Sequence, residues 1–204
     1  MNIILVVAAV LMMGSPLSYL YKVSKKQLTP SILSWYGWAV LIGISVVSQA
    51  IAGGWSSNLI TVLLSSISCF VIAFCANYVF KNFSVNRKDL IYVYCGSACV
   101  LIYILFSNQW VTTALAIIAD FLLALPTLKM AYKNPKKEKS FSWPLALAAW
   151  ALTISVLFYN FSWINALWPL YLILFNGTMT YFTFCRQTNN KAIMETANVS
   201  FDNK

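Results

Sequence analysis

The basic residues of this chain occupy alternate connections between long apolar runs, and that pattern limits its fold more than any other feature. Seven runs, 2–21, 31–52, 58–80, 90–106, 110–129, 142–161 and 163–185, read as candidate bilayer spans, each near the roughly 20 apolar residues that a spanning helix needs. Lys22, Lys25 and Lys26 follow the first run, and Lys81, Arg87 and Lys88 follow the third. Lys129, Lys133, Lys136, Lys137 and Lys139 end or follow the fifth, and Arg186, Lys191 and Lys204 follow the seventh. The connections after the second, fourth and sixth runs (AGGWSSN, SNQW and FSW) carry no Lys or Arg. All 14 basic residues therefore fall on one side of a seven-span path. The positive-inside rule makes that side cytoplasmic, which puts the N-terminus outside and the C-terminus inside.

Composition agrees. Sixty per cent of the 204 residues are hydrophobic and 9 per cent are charged, whereas a soluble domain is about 45–50 per cent apolar and roughly 25 per cent charged. Lipid is the expected solvent, and the expected class is an all-α integral membrane protein. The net charge of +9 does not mark a nucleic-acid binder, because the charges sit between apolar runs and not on one face of a module. Histidine is absent, and the five cysteines show no C-x-x-C spacing. They are expected to be small packing residues, and no metal or other cofactor is expected. The first run lacks a positive leader, and its first charge, Lys22, comes after it. It reads as a helix that stays, not as a signal peptide. Trp55, Trp110 and Trp163 fall at the run ends away from the lysines, where interfacial aromatics anchor a span. A bacterial inner membrane fits this compact chain best.

An internal repeat orders the spans. Shifting PLSYLYKVSKKQLTPSILSWYGW by 111 residues sets Tyr21 on Tyr132, Lys22 on Lys133 and Lys25–Lys26 on Lys136–Lys137. With small gaps Pro16 matches Pro126, Pro30 lies near Pro144, and Trp38 matches Trp150. The first and fifth runs cross in the same direction, so the repeats are parallel and the fourth run restores orientation between them. The expected organisation is a three-helix repeat over 1–80, a linker helix over 81–109, a second three-helix repeat over 110–185 and a cytoplasmic polar tail over 186–204.

In these residues the chain resembles the PQ-loop, MtN3 and SWEET-like membrane proteins. Pro16 and Pro126, each followed by a Tyr-Lys and a basic loop, carry the resemblance, together with KKEKSFSWP (Lys136 to Pro144) at the entry to the sixth run. The Pro-Gln pair of that superfamily is replaced by Pro16-Leu17 and Pro126-Thr127, as in a divergent bacterial member. The resemblance implies a 3+1+3 layout, alternating access, and an inner hinge at Pro16, Pro30, Pro126 and Pro144. It also implies a solute-binding amide at Asn176 in the seventh run. The partner asparagine of the third run is missing, and Ser65, Ser66 and Ser68 stand at that depth.

Other site candidates come from the residues themselves. Asp120 is the only acid inside a span. A charge at the bilayer centre costs roughly 2.5–3.5 kcal/mol, so such an acid is expected to bind solute or a proton, or to bond a neighbouring helix. Trp38 and Trp150, extended by Trp35, are candidates to stack on a solute. Gln49 and Asn160 superpose at the shift of 111 and would form an outer vestibule or cap helix ends. Ala146, Ala148 and Ala149 would let the sixth run pack closely on a helix of this chain or of a second copy, a homo-oligomer. The expected binding residues are Asp120, Asn176, Trp38, Trp150, Ser66 and Ser68, and the expected partners are the bilayer and a small polar solute, not nucleic acid. No nucleophile–base pair, metal cluster or phosphate-binding loop suggests an enzyme. The function expected is facilitated movement of a small polar solute, and the alternative is a non-transporting membrane scaffold or receptor-type protein of the same fold.

Overall fold

Apolar runs of this length can satisfy their backbone in lipid only as helices or as closed barrels. In a computed structural model, residues 3–53, 57–81, 90–92, 94–96, 98, 102, 108–157 and 163–186 are described, and all regular structure among them is helical. The elements are α1 (Ile3–Ser24), α2 (Ile32–Gly53), α3 (Ser57–Phe80), α4 (Gln109–Lys133), a 3₁₀ turn (Pro135–Glu138), α5 (Ser142–Leu157) and α6 (Trp163–Thr180), which ends in a π-helical turn (Tyr181–Cys185). Among the described residues three helices are long and apolar enough to cross a membrane, through Val6–Ser24, Leu63–Phe80 and Thr113–Lys133. Shorter apolar stretches occupy Ile32–Val47 and Ser142–Ser155. The described residues of the 90–106 run are helical; the rest of that run, Trp55, the side chain of Gln49, Asn160 and the tail beyond Arg186 lie outside the described residues.

Helices α1 and α4 run one turn past the expected spans, so Lys22 and Lys133 stand in their last turns. Cations there complement the partial negative charge of a helix C-terminus. Chain direction changes sharply just after, with Lys26 at φ 58° beyond α1 and Lys81 at φ 50° beyond α3. At its other end α4 is capped by Asn108, whose Oδ1 accepts from the Trp110 and Val111 amides. Pro16 and Pro126 lie inside α1 and α4, Pro144 lies in the first turn of α5, and Pro30 precedes α2. A further proline, Pro169, lies inside α6.

Each of α1 and α3 is apolar on two faces. On α1, Ile3, Val7, Val10, Leu17 and Tyr21 are exposed, whereas Ala8, Ser15, Tyr19 and Val23 are buried. On α3, Leu64, Ile67, Phe70, Phe74 and Tyr78 are exposed, whereas Ile72, Ala73 and Ala76 are buried. A helix that is apolar all round faces lipid on one side and protein on the other.

Within the bundle α3 packs on both α1 and α2, and α6 packs on both α4 and α5. Between these triplets α1 packs on α5 and α2 packs on α4. Small residues make the approaches close, as expected where helices associate in lipid. Gly37 of α2 faces Leu123 of α4 so tightly that a Cβ there would stand 2.5 Å from Leu123 Cδ2. Gly96, from the 90–106 run, meets the same Leu123 and the Ala119 carbonyl. Lys129 ties that run to α4 again, donating to the Tyr92 hydroxyl at 2.6 Å.

The basic ends of α1 and α4 and Arg186 beyond α6 gather at one end of the bundle. Lys22 Nζ donates to the Lys139 carbonyl at 2.9 Å, and the Thr29 amide donates to the Lys137 carbonyl at 3.1 Å. Arg186 donates to the Tyr132 carbonyl at 3.1 Å, with its guanidinium 4.0 Å from the Tyr132 ring centre.

Candidate functional site

A line of aromatic rings, buried except for the half-buried Tyr171, lies between the two triplets, with a carboxyl group at each end. Tyr19 of α1 touches Trp35 of α2 at 4.7 Å between ring centres, and Trp35 touches Trp38 one turn on at 5.2 Å. Trp38 meets Phe175 of α6 at 5.8 Å, and Phe175 stacks on Tyr171 at 6.4 Å. Trp143, in the first turn of α5, closes the set against Tyr19, Trp35 and Phe175 at 5.8, 6.4 and 5.9 Å. At one end Tyr171 donates to Asp120 Oδ2 at 2.5 Å. At the other, Tyr19 donates to Glu138 Oε2 at 2.6 Å.

Spacing along the helices creates this line. Trp35 and Trp38 are three residues apart on α2, and Tyr171 and Phe175 are four apart on α6, so each pair shares a helix face. Rings in edge-to-face or offset contact add about 0.5–1.5 kcal/mol per pair beyond the area they bury. Yet Trp38 Nε1 and Glu138 Oε1 are buried without a hydrogen bond, and Trp35 Nε1 is directed at the Tyr19 hydroxyl without the geometry of one. Such orphans are uncommon, and several in one cluster point to a role other than packing. Trp143 Nε1, by contrast, donates to the Glu138 carbonyl at 2.9 Å.

The residues expected from sequence divide around this line. Asp120 is buried on α4 and bonded by Tyr171, and Trp38 is inside the ring cluster. Asn176 is buried next to Phe175, but its amide donates back to the Leu172 carbonyl of its own helix at 2.8 Å. Trp150 is half-buried two turns beyond Trp143 on α5 and makes no ring contact among the described residues. Ser66 bridges α3 to the Ala39 carbonyl of α2 at 2.7 Å, and Ser68 bonds its own Leu64 carbonyl at 2.8 Å. Ser66 also lines an open groove of about 250 Å³ with Ala39, Val40, Ile67 and Phe70. A second open groove, of about 430 Å³, lies along Leu147, Leu174, Gly177 and Tyr181. Both are open and mainly apolar, with exposed Val40, Ile67 and Phe70 along the first and exposed Leu174 and Tyr181 along the second.

Five residues of the line, Tyr19, Trp143, Phe175, Tyr171 and Glu138, were not expected from sequence. Glu138 is 0 per cent exposed although it follows Lys136 and Lys137 and precedes Lys139. Its signal was the lone acid inside a basic loop. Burial pushes its carboxyl up from 4.5 to about 8, against the opposing effect of the Tyr19 hydroxyl bond. The Ser31 amide lies near the carboxylate and opposes the shift too, but without the geometry of a hydrogen bond, which leaves Oε1 unpartnered.

No protein-family model, no curated protein and no solved structure matches this chain.

Proposed function

We propose that the chain is a membrane transporter-like protein that moves a small polar solute by alternating opening of two parallel three-helix repeats, residues 1–80 and 110–185, joined by a linker helix within 81–109. This is the layout of the PQ-loop, MtN3 and SWEET-like proteins. The packing supports it: exchanging α1, α2 and α3 for α4, α5 and α6 turns each inter-helix contact of one triplet into a contact of the other, and turns α1 on α5 into α4 on α2. A substrate site at a repeat interface is the plan of such transporters. Pro16 and Pro126 each remove one helical hydrogen bond near the lysine-rich end, where such repeats would flex. The gathered lysines support a cytoplasmic assignment of that end in a bacterial inner membrane.

One observation carries the reading. Between the triplets lie Asp120, Tyr171 and two unpartnered indole N–H groups, where a purely structural seam in lipid would need only small apolar residues. Indole N–H donors suit a solute with acceptor oxygens, the ring faces suit its carbon skeleton, and Asp120 suits a hydroxyl or ammonium group. The test is ligand-dependent thermal stabilisation of the purified protein with sugars, amines, amino acids and nucleosides, followed by flux in proteoliposomes. A ligand that raises apparent stability as ln(1 + [L]/Kd), loses that effect in Asp120→Asn and crosses the bilayer only with protein present supports transport.

A non-transporting scaffold or receptor-type protein of the same fold is the second reading. The observation that favours it is the closeness of the rings, 4.7 to 6.4 Å between centres along the line, which places aromatic against aromatic. No stabilising ligand, together with an Asp120→Asn protein that is less stable under every condition, would move this reading ahead.

A further inference from the structure

Glu138 lies outside every helix of the proposed solute path, and its surroundings differ from those of Asp120. Asp120 bonds within one triplet, from α4 to α6. Glu138 bonds across the triplets, from the turn before α5 to Tyr19 of α1. Around it the short segment 137–142 is stitched to the first triplet. The Lys137 carbonyl accepts from the Thr29 amide, and the Lys139 carbonyl accepts from Lys22. Ser15 of α1 donates to the Ser142 carbonyl at 3.0 Å and lies 2.7 Å from its hydroxyl. Inside these contacts Tyr19, Trp35 and Trp143 form a triangle with ring centres 4.7 to 6.4 Å apart. Rings that close are packed on one another and leave no room for a ligand among them. This end of the seam is shut.

We infer that Glu138 is a proton-binding site that bolts the lysine-rich end of the bundle: neutral, it holds segment 137–142 against α1, and ionised, it lets the two triplets part there. A carboxylic acid can occupy a fully buried site with one hydroxyl partner, whereas a carboxylate there lacks the donors that its second oxygen needs. Parting the segment from α1 gives Glu138 water and gives a charged form its solvation. Opening at this end and loss of the proton therefore favour each other. The raised affinity of the closed state for a proton places the response in the neutral range.

The neighbouring charges do not supply a substitute switch. On α1, Tyr19 is the titratable group that faces Glu138, and Lys22 turns to the Lys139 carbonyl and the Phe141 ring. At the entry to α2 the approaching group is the Ser31 amide, and Tyr36 packs instead on Phe70. From α5 it is Trp143, and the end of α4 brings Tyr132, held by Arg186, with the exposed Lys133. On the turn itself Lys136 and Lys137 are exposed, and Lys139 lies over the Phe184 ring. Of the π-helical turn, Tyr181 packs on Phe182 and Cys185 is exposed.

The inference rests on the reading that the triplets move against each other, but its test needs no solute. Amide hydrogen exchange of peptides spanning Thr29 and segment 134–143 is measured on the full chain in nanodiscs at pH 6 to 9. Each rate is divided by the intrinsic chemical rate at that pH. The expected result is an opening that grows about tenfold or more across this range in the wild type. It should stay low and flat in Glu138→Gln. Lys22→Gln, which removes a stitch but not the acid, should raise opening at every pH and keep the slope. A flat wild-type profile, or a Glu138→Gln protein that keeps the wild-type slope, overturns the inference. Transport could fail its own assay while this profile holds, and the reverse, so the two readings fall separately.

Discussion

The Tyr171 hydroxyl donates to Asp120 Oδ2 at 2.5 Å and joins α6 to α4 inside one triplet. The acid most visible in the sequence is thus held by a phenol that no sequence pattern paired with it. Removing one member of a buried hydrogen bond costs about 1–3 kcal/mol, because the other is left unsatisfied. Asp120→Ala and Tyr171→Phe should each lower stability by that amount. The double variant should lose clearly less than the sum, since the two residues share one interaction. Thermal unfolding of the four proteins in one detergent measures this. Additive losses would mean that the pair contributes nothing as a pair.

At Gly37 the two triplets approach closely, α2 against α4. A Cβ there would stand 2.5 Å from Leu123 Cδ2, and Leu123 is itself buried and in contact with Gly96. Gly37→Val should therefore destabilise by about 1–3 kcal/mol through overpacking. Leu123→Ala alone should also destabilise, but combined with Gly37→Val it should restore part of the loss. Melting temperatures decide, and a double variant no better than Gly37→Val would show that the clash lies elsewhere.

How much of this was legible follows from what kind of information each feature carries. Helix positions and the gathering of lysines at one end depend on local composition, so the alternation of basic and uncharged connections foretold both. Helix ends were short by a turn at Lys22 and Lys133, because a lysine reads as a boundary while its long stem lets it remain helical. Asp120 was legible as a lone acid in an apolar run, and Trp38 as an aromatic past a proline. The partners were not. Trp143 and Trp150 are seven residues apart on α5 and share a face, about 10 Å apart along the axis. A gapped repeat fixes the face better than the depth, so it paired Trp38 with the tryptophan two turns from the ring cluster. Glu138 was hidden by its neighbours, because a loop of lysines reads as solvated whatever one acid within it does.

Trp38 separates the packing and the solute readings. Trp38→Phe keeps an aromatic ring against Trp35 and Phe175 and removes an N–H that has no partner. The lost ring area should lower stability by about 1–2 kcal/mol, with no further loss from an unsatisfied group. If the indole serves a solute, stabilisation by that solute should drop about tenfold in apparent affinity, the usual scale for one hydrogen bond. Thermal shifts with and without the ligand found for the wild type measure both. An unchanged ligand response would remove Trp38 from the site.

Stability should depend on pH through Glu138, with a definite sign. In the folded chain its carboxyl is raised from 4.5 to about 8. Between those values the unfolded chain releases the proton and the folded chain keeps it, so stability falls as pH rises through that window. Below the lower value both states hold the proton and the penalty vanishes. Above about 8 both have lost it, and the penalty stays at its full size. Glu138→Gln keeps an acceptor for the Tyr19 hydroxyl and never ionises. At pH 4 it should be no more stable than the wild type. At pH 8 it should be more stable, by on the order of 4 kcal/mol, with each tenfold change in proton affinity counting about 1.4 kcal/mol. Chemical or thermal unfolding of both proteins at the two pH values is the measurement. A wild type that gains stability toward pH 8, relative to Glu138→Gln, would show that the buried carboxyl is held as an anion and that its second oxygen has a partner.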